Sequence, residues 1–147
     1  MTYATNKRAR FDYEILETVE AGLMLSGQEV KSIRNGGAKL LGSFVTFHNN
    51  AAFLLNCHIS KYRYAGKLEN YVPDRSRKLL LTQKQIAYLE GKSHEAGLTI
   101  IPLSIYTKGP YLKVEIGVAR GKKKFDKREK IKKREVQRER LRYLKNG

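Results

Sequence analysis

Tyr62, Tyr64 and Tyr71 alternate along the chain with Lys61, Arg63, Lys67, Arg75, Arg77 and Lys78. Rings of this kind offer stacking faces to unpaired bases, and the cations between them hold a phosphate backbone, so the segment is a candidate RNA contact. A surface loop whose tyrosines pack on the body accounts for the same pattern. Asn6, Lys7, Arg8, Ala9 and Arg10 form a second cluster, read either as a phosphate-contacting arm or as a solvated one. Leu80 stands between Leu79 and Leu81 in an extended segment. If these two point inward, Leu80 points out beside Arg77 and Lys78, where it can pack on a ribose or base; a place in a second core layer is the alternative.

Catalytic chemistry finds little to work with. His48, His58 and His94 show neither i,i+4 pairing nor an H-E-x-x-H frame, and there is no G-x-S-x-G or phosphate-binding P-loop. A metal-dependent nuclease needs converging carboxylates. Here the acids are scattered: Glu29 has a capping role, and Glu129, Glu135 and Glu139 sit among tail cations. No catalytic residue, metal or cofactor is expected. Cys57, the single cysteine, lies in an apolar run and reads as a small buried hydrophobe, since one thiol builds neither a disulfide nor a thiolate metal site within the chain. The longest mostly apolar stretch, Leu98 to Tyr106, is interrupted by Thr99, Pro102 and Ser104 and is too short to cross a bilayer. The N-terminus has no apolar signal region. The expected setting is the cytoplasm, without membrane contact.

These side chains must be carried by a small body. The chain has 147 residues, 41% hydrophobic, and a net charge of +16, which suits one domain that holds a polyanion. Residues 1–119 hold 16 basic and 10 acidic residues, whereas 120–147 hold 14 basic and 4 acidic. The change follows Ala119, so the expected division is a folded body, 1–119, and a basic tail, 120–147. Ser26 to Glu29 is an S-x-x-E capping box with Leu25 and Val30 as a hydrophobic staple, and Gly36-Gly37 ends that helix. Thr82 to Gln85 opens a second helix with Leu81 and Ile86 as its staple, and Gly91 marks its end. Strands 43–47 and 51–59 flank a hairpin turn at His48-Asn49-Asn50; strands 99–106 and 111–118 flank Lys108-Gly109-Pro110. Along the last strand Leu112, Val114, Ile116 and Val118 take one face, and Lys113, Glu115 and Gly117 the other. Residues 13–19 and 22–25 also look like strands. The expected fold is mainly β (α+β): an OB-fold-like closed β-barrel with two or three short helices. In the tail, Ile131, Val136 and Leu141 share no helix face, so it should be disordered when free and helical on a polyanion.

Several stretches resemble the SsrA-binding protein (small protein B) family of bacterial trans-translation. They are Asn6 to Arg10; Glu20-Ala21-Gly22-Leu23 with Gly27 to Arg34; Arg77 to Leu81; Ile105-Tyr106; Lys113 to Lys123; and Asp126-Lys127-Arg128, in order over nearly the whole chain. The resemblance implies an OB-fold body that binds the tRNA-like domain of transfer-messenger RNA, and no catalytic activity. It implies delivery of that RNA, with elongation factor Tu and GTP, to stalled ribosomes, and a tail that probes small-subunit ribosomal RNA at the decoding centre and the empty messenger channel. A monomer is expected. Glu20, Leu80 and Lys113 match family RNA-binding positions, with Asn6, Lys7, Arg8, Arg10, Lys31, Arg75, Arg77 and Lys78 as further RNA-binding candidates. A carboxylate such as Glu20 would accept from a base amino or imino group or a 2′-hydroxyl. For the tail the candidates are Arg120, Gly121, Lys122, Lys123, Asp126, Lys127, Arg128, Lys132, Lys133 and Arg134. Family tails commonly carry Trp where this chain has Val136. The competing reading is a general single-strand RNA-binding or ribosomal protein.

Overall fold

The computed structural model describes residues 1–66 and 70–122. The chain runs β1 (Thr2–Thr5), α1 (Ala9–Asp12), β2 (Tyr13–Leu23), α2 (Gly27–Arg34), β3 (Ala38–Lys39), β4 (Phe44–His48), β5 (Ala51–Leu55), β6 (His58–Ile59), β7 (Arg77–Leu80), α3 (Gln83–Ser93), β8 (Leu98–Lys108) and β9 (Tyr111–Gly121). Seven strands form one antiparallel sheet in the order β1-β8-β9-β2-β7-β5-β4, and β3 pairs with β6.

Alternation along the strands gathers the core on one face. Val114, Ile116 and Val118 of β9 are buried with Ala21 and Leu23 of β2, Val45 of β4, Leu54 of β5 and Leu79 of β7. Ile33 of α2 and Ile86 and Leu89 of α3 cover them. A second, smaller cluster of Ala9, Ile101, Leu103 and Ala119 lies apart from this core. A bulge makes it possible: the register of β8 on β9 shifts between Pro102 and Ser104, so Leu103 joins the small cluster while Ile105 returns to the main core.

The expected closed barrel is not what the hydrogen bonds make. The ladder stops at β1 and β4, which are not paired with each other. At the relevant stretch of β8, Pro102 has no N–H to donate. Its carbonyl instead accepts from Asn6 Nδ2 at 3.0 Å, and the Leu103 carbonyl from the Asn6 amide at 2.8 Å. Phe44 of β4 packs against the small cluster without a ladder between β4 and β8. Side chains and the Asn6–Asp12 segment therefore occupy the gap between sheet edges.

Local signals differ from the structure in three places. Helix α3 passes through Gly91 and ends at Ser93, with the Ser93 hydroxyl donating to the Glu90 carbonyl at 2.6 Å; an exposed glycine weakens a helix by about 1 kcal/mol against alanine but does not stop it. The strand expected over 51–59 breaks into β5 and β6 where Asn56 takes a φ of 59°. The two strands expected over 13–19 and 22–25 are one, β2, with a bulge between Ile15 and Glu17. Both capping boxes are formed, and Asn49 and Asn50, with φ of 48° and 60°, make the hairpin turn. Strand β9 and its pairing continue beyond Ala119 to Arg120 and Gly121. The tail beyond Lys122 lies outside the described residues.

Candidate nucleic-acid interface

The sheet register sets four residues in a row across four strands: Tyr106 on β8 opposite Lys113 on β9, Lys113 opposite Gly22 on β2, and Gly22 opposite Leu80 on β7. Side chains directly opposite in a ladder share a face, and this one is the face away from Val114 and Leu79. Glu20, two residues before Gly22, shares it. The three positions matched to RNA binding in sequence, Glu20, Leu80 and Lys113, are thus neighbours on one outward surface. Lys78, exposed and two residues before Leu80, extends it.

Each member is held by local chemistry. Leu80 is 50% exposed. It lies across Gly22, where any Cβ would come within 3.0 Å of Leu80 Cβ. Lys113 Nζ stands 5.9 Å from the Tyr111 ring centroid. Glu20 accepts from the Tyr106 hydroxyl at 2.5 Å and from Lys108 Nζ at 3.4 Å. The Tyr106 hydrogen bond holds the Glu20 carboxyl below its usual range, and Lys108 and Lys113 add to this against a smaller opposing effect of burial. Burial, then the hydrogen bond to Glu20, pushes the Tyr106 hydroxyl up to about 12. At neutral pH the pair is therefore a phenol donating to a carboxylate, with carboxylate lone pairs left to accept from a ligand. The surface offers an apolar side chain for a sugar or base, a cation for a phosphate and an oriented acceptor. Sequence reasoning missed Tyr106 and Lys108 as the groups that orient Glu20, because nothing local links residues 86 and 88 positions apart.

A second basic surface lies at the other end of β2 and β9. The Asn6 hydrogen bonds to β8 anchor the arm and leave Lys7, Arg8 and Arg10 exposed. The Arg8 guanidinium stacks 5.1 Å from the Phe11 centroid and reaches Asp12 at 3.5 Å. Lys122 joins the root of the tail to this arm: its amide donates to the Asp12 carbonyl at 3.0 Å and its ammonium to the Arg10 carbonyl at 2.9 Å. Arg120 approaches Glu14 at 4.0 Å, and Gly121 pairs with Tyr13. At about 3.3 Å per residue this end of the ladder lies about 30 Å from the Gly22–Lys113 pair.

Arg77 is a correction. Its side chain is fully buried, donating to Glu29 Oε2 at 2.6 Å and to the carbonyls of Cys57, Pro73 and Arg75 at 2.6, 2.8 and 3.1 Å. It cannot meet RNA; it ties the 73–77 segment to α2. Glu29, also buried, accepts from the Ser26 amide at 2.9 Å, completing the capping box, and binds Arg75 through Oε1. Burial alone would raise the Glu29 pKa, but the hydrogen bonds from Arg75, Ser26 and Arg77 bring it below the ordinary value. Arg75 is partly exposed but already shares its charge with Glu29. Tyr71 donates to the Ile59 carbonyl at 2.6 Å, so it serves this segment. Lys31 is exposed on α2, 5.7 Å from the Tyr62 ring centroid and on neither surface described above. Cys57 is buried, with its thiol pushed up to about 11 by burial. Lys123, Asp126, Lys127, Arg128, Lys132, Lys133 and Arg134 lie outside the described residues. Among the described residues, no three His, Cys, Asp or Glu side chains are placed to share a metal ion, and no helix is long and apolar enough to cross a membrane.

Comparison with known proteins points the same way. The profile of the SmpB protein family matches residues 3–146. An SsrA-binding protein from Enterococcus faecalis is 52% identical over 144 residues, covering 98% of this chain and 93% of the relative. One from Thermosipho melanesiensis is 56% identical over 143 residues, covering 97% of each. A solved structure described as "tmRNA-SmpB: a journey to the center of the bacterial ribosome" matches with a TM-score of 0.69 at 48% identity, covering 82% of this chain and 84% of that one.

Proposed function

This chain belongs to the SmpB family, and we propose that it is the RNA-binding adaptor of trans-translation, holding the tRNA-like domain of transfer-messenger RNA and bringing it to stalled ribosomes for rescue and peptide tagging. The observation that carries this reading is the outward row in which Leu80, Gly22 and Lys113 are adjacent and Glu20 stands beside them. Leu80 packs on the RNA, Lys113 neutralises a phosphate, and Glu20 accepts from a base or 2′-hydroxyl. The curled antiparallel sheet is read as an OB-type body over 1–119, acting as a monomer in the cytoplasm. Elongation factor Tu with GTP joins through the RNA.

The second basic surface, from the Arg8–Arg10 arm to Lys122, is where the body hands over to the tail. Residues 120–147, with Asp126, Lys127 and Arg128, are assigned to the decoding centre and the empty messenger channel. The test is to recover the full chain from cell lysate and sequence the bound RNA. One dominant tRNA-like species supports the adaptor; a broad transcript pool supports general single-strand binding instead.

A further inference from the structure

A cleft of about 380 Å³ opens between the C-terminal end of α2 and the segment after β6, lined by Asn35, Lys61, Tyr62, Arg63 and Tyr64 over a floor of Ser32, Gly37 and Ser60. It shares no residue with the Glu20–Leu80–Lys113 row or with the arm. Its floor is closed and satisfied: Ser32 Oγ donates to the Ser60 carbonyl at 2.6 Å, and the Ser60 amide and hydroxyl both donate to the Gly37 carbonyl, at 2.9 and 3.0 Å. A rigid base of this kind holds the walls in place.

Those walls are aromatic and cationic. The Tyr62 and Tyr64 rings meet edge to face, centroids 5.6 Å apart at 69°. Tyr64 is 72% exposed, so much of its ring is open to solvent. Lys31 Nζ lies 5.7 Å from the Tyr62 centroid and the Arg63 guanidinium 5.6 Å from that of Tyr64. Lys31 and Arg34 offset the negative end of the α2 dipole. Among the described residues, no acidic side chain lines the cleft. Neither tyrosine hydroxyl, nor the Asn35 side-chain amide, has a hydrogen-bond partner among the described residues. An acidic peptide would use the cations and leave the ring faces idle. A nucleotide uses both, its base against the rings and its phosphate against the cations.

We propose that this cleft binds one unpaired nucleotide of RNA, with the base stacked on the Tyr62–Tyr64 pair, the Asn35 amide at the base edge, and Lys31, Lys61 and Arg63 around the adjoining phosphate. The proposal extends the adaptor reading and uses different residues, so the two are tested apart. The full chain is titrated with single-stranded hexaribonucleotides, with the tRNA-like domain of transfer-messenger RNA, and with small ribosomal subunits. Tyr62→Ala/Tyr64→Ala should weaken hexamer binding about ten-fold or more, the size of one lost base stack. Tyr62→Phe/Tyr64→Phe, which keeps the rings, should bind within about three-fold of the unaltered chain, and Lys113→Ala should leave the Tyr62–Tyr64 contribution intact. Thermal melting of each variant checks the fold. A matching loss on the tRNA-like RNA assigns the nucleotide to transfer-messenger RNA; a loss on small subunits alone assigns it to ribosomal RNA. An alanine pair that melts normally and binds all three probes unchanged overturns the proposal. A Lys113→Ala variant with undiminished affinity for the tRNA-like RNA would instead count against the adaptor surface and leave the cleft standing.

Discussion

Glu20 puts a negative charge on the surface we propose for RNA, and its neighbours explain how it is kept there. Tyr106 and Lys108 spend their donors on it, so the carboxylate is oriented and ionised at neutral pH. Because burial, and then the hydrogen bond to Glu20, raises the Tyr106 pKa above its ordinary 10.0, the stability linked to its protonated form is complete below about pH 10 and lost as pH rises toward about 12. Ultraviolet titration of the tyrosines should show a component near pH 12 that Tyr106→Phe removes; removal of a component near pH 10 instead would mean the pair does not form. Glu29 behaves in the opposite sense. Its folded pKa lies below the ordinary 4.5, so its contribution is present above that value and lost as pH falls below it. Breaking its buried pair by Arg77→Ala should cost about 3–5 kcal/mol in urea unfolding, while the folded fraction keeps its RNA affinity. Simple alternation made Leu80 and Lys113 legible in the sequence as outward residues. The same alternation held the correct answer for Arg77, which shares the parity of buried Leu79; its charge made it look like a partner of exposed Lys78. Nothing in the sequence could have joined Glu29 to Arg77, because that bond spans 48 residues.

At the scale of elements, the turn and cap chemistry was readable because it is local. Ser26, Thr82 and the Asn49-Asn50 turn each specify a backbone geometry through their own side chains. Strand β1, helix α1 and the short β3 were not readable, since four or fewer residues carry no period and owe their form to β8 and β6. The course of β9 bears on where the body ends. A chain cut after Lys122 should unfold like the full chain and bind the tRNA-like RNA equally well. A cut after Ala119 removes the Gly121 and Lys122 amide bonds to Gly97 and Asp12 and the Lys122 ammonium bond to Arg10. At about 1 kcal/mol each, that shorter chain should lose about 2–3 kcal/mol in urea unfolding. Equal stability of the two chains would place the body's end at Ala119, as composition alone suggests. Gly22→Ala tests the sheet face in the same manner: a methyl against Leu80 Cβ displaces that side chain, so RNA affinity should fall several-fold with a smaller change in melting.

For the whole molecule, a charge of +16 guarantees affinity for any polyanion and says little about which. Selectivity has to come from shape: a sheet face with Leu80, Lys113 and Glu20 at one end of β2, and a cationic arm tied to the tail root about 30 Å away at the other. The measurement that bears most directly on this account is equilibrium binding across a salt series, comparing the tRNA-like domain of transfer-messenger RNA with an unstructured RNA of equal length. The unaltered chain should prefer the tRNA-like RNA. Leu80→Ala and Lys113→Ala should each lose about ten-fold on that RNA with melting unchanged, and Lys113→Ala should flatten the log–log salt slope by about one. Wild-type affinity and slope in both variants, with the preference for the tRNA-like RNA retained, would contradict the assignment of this face.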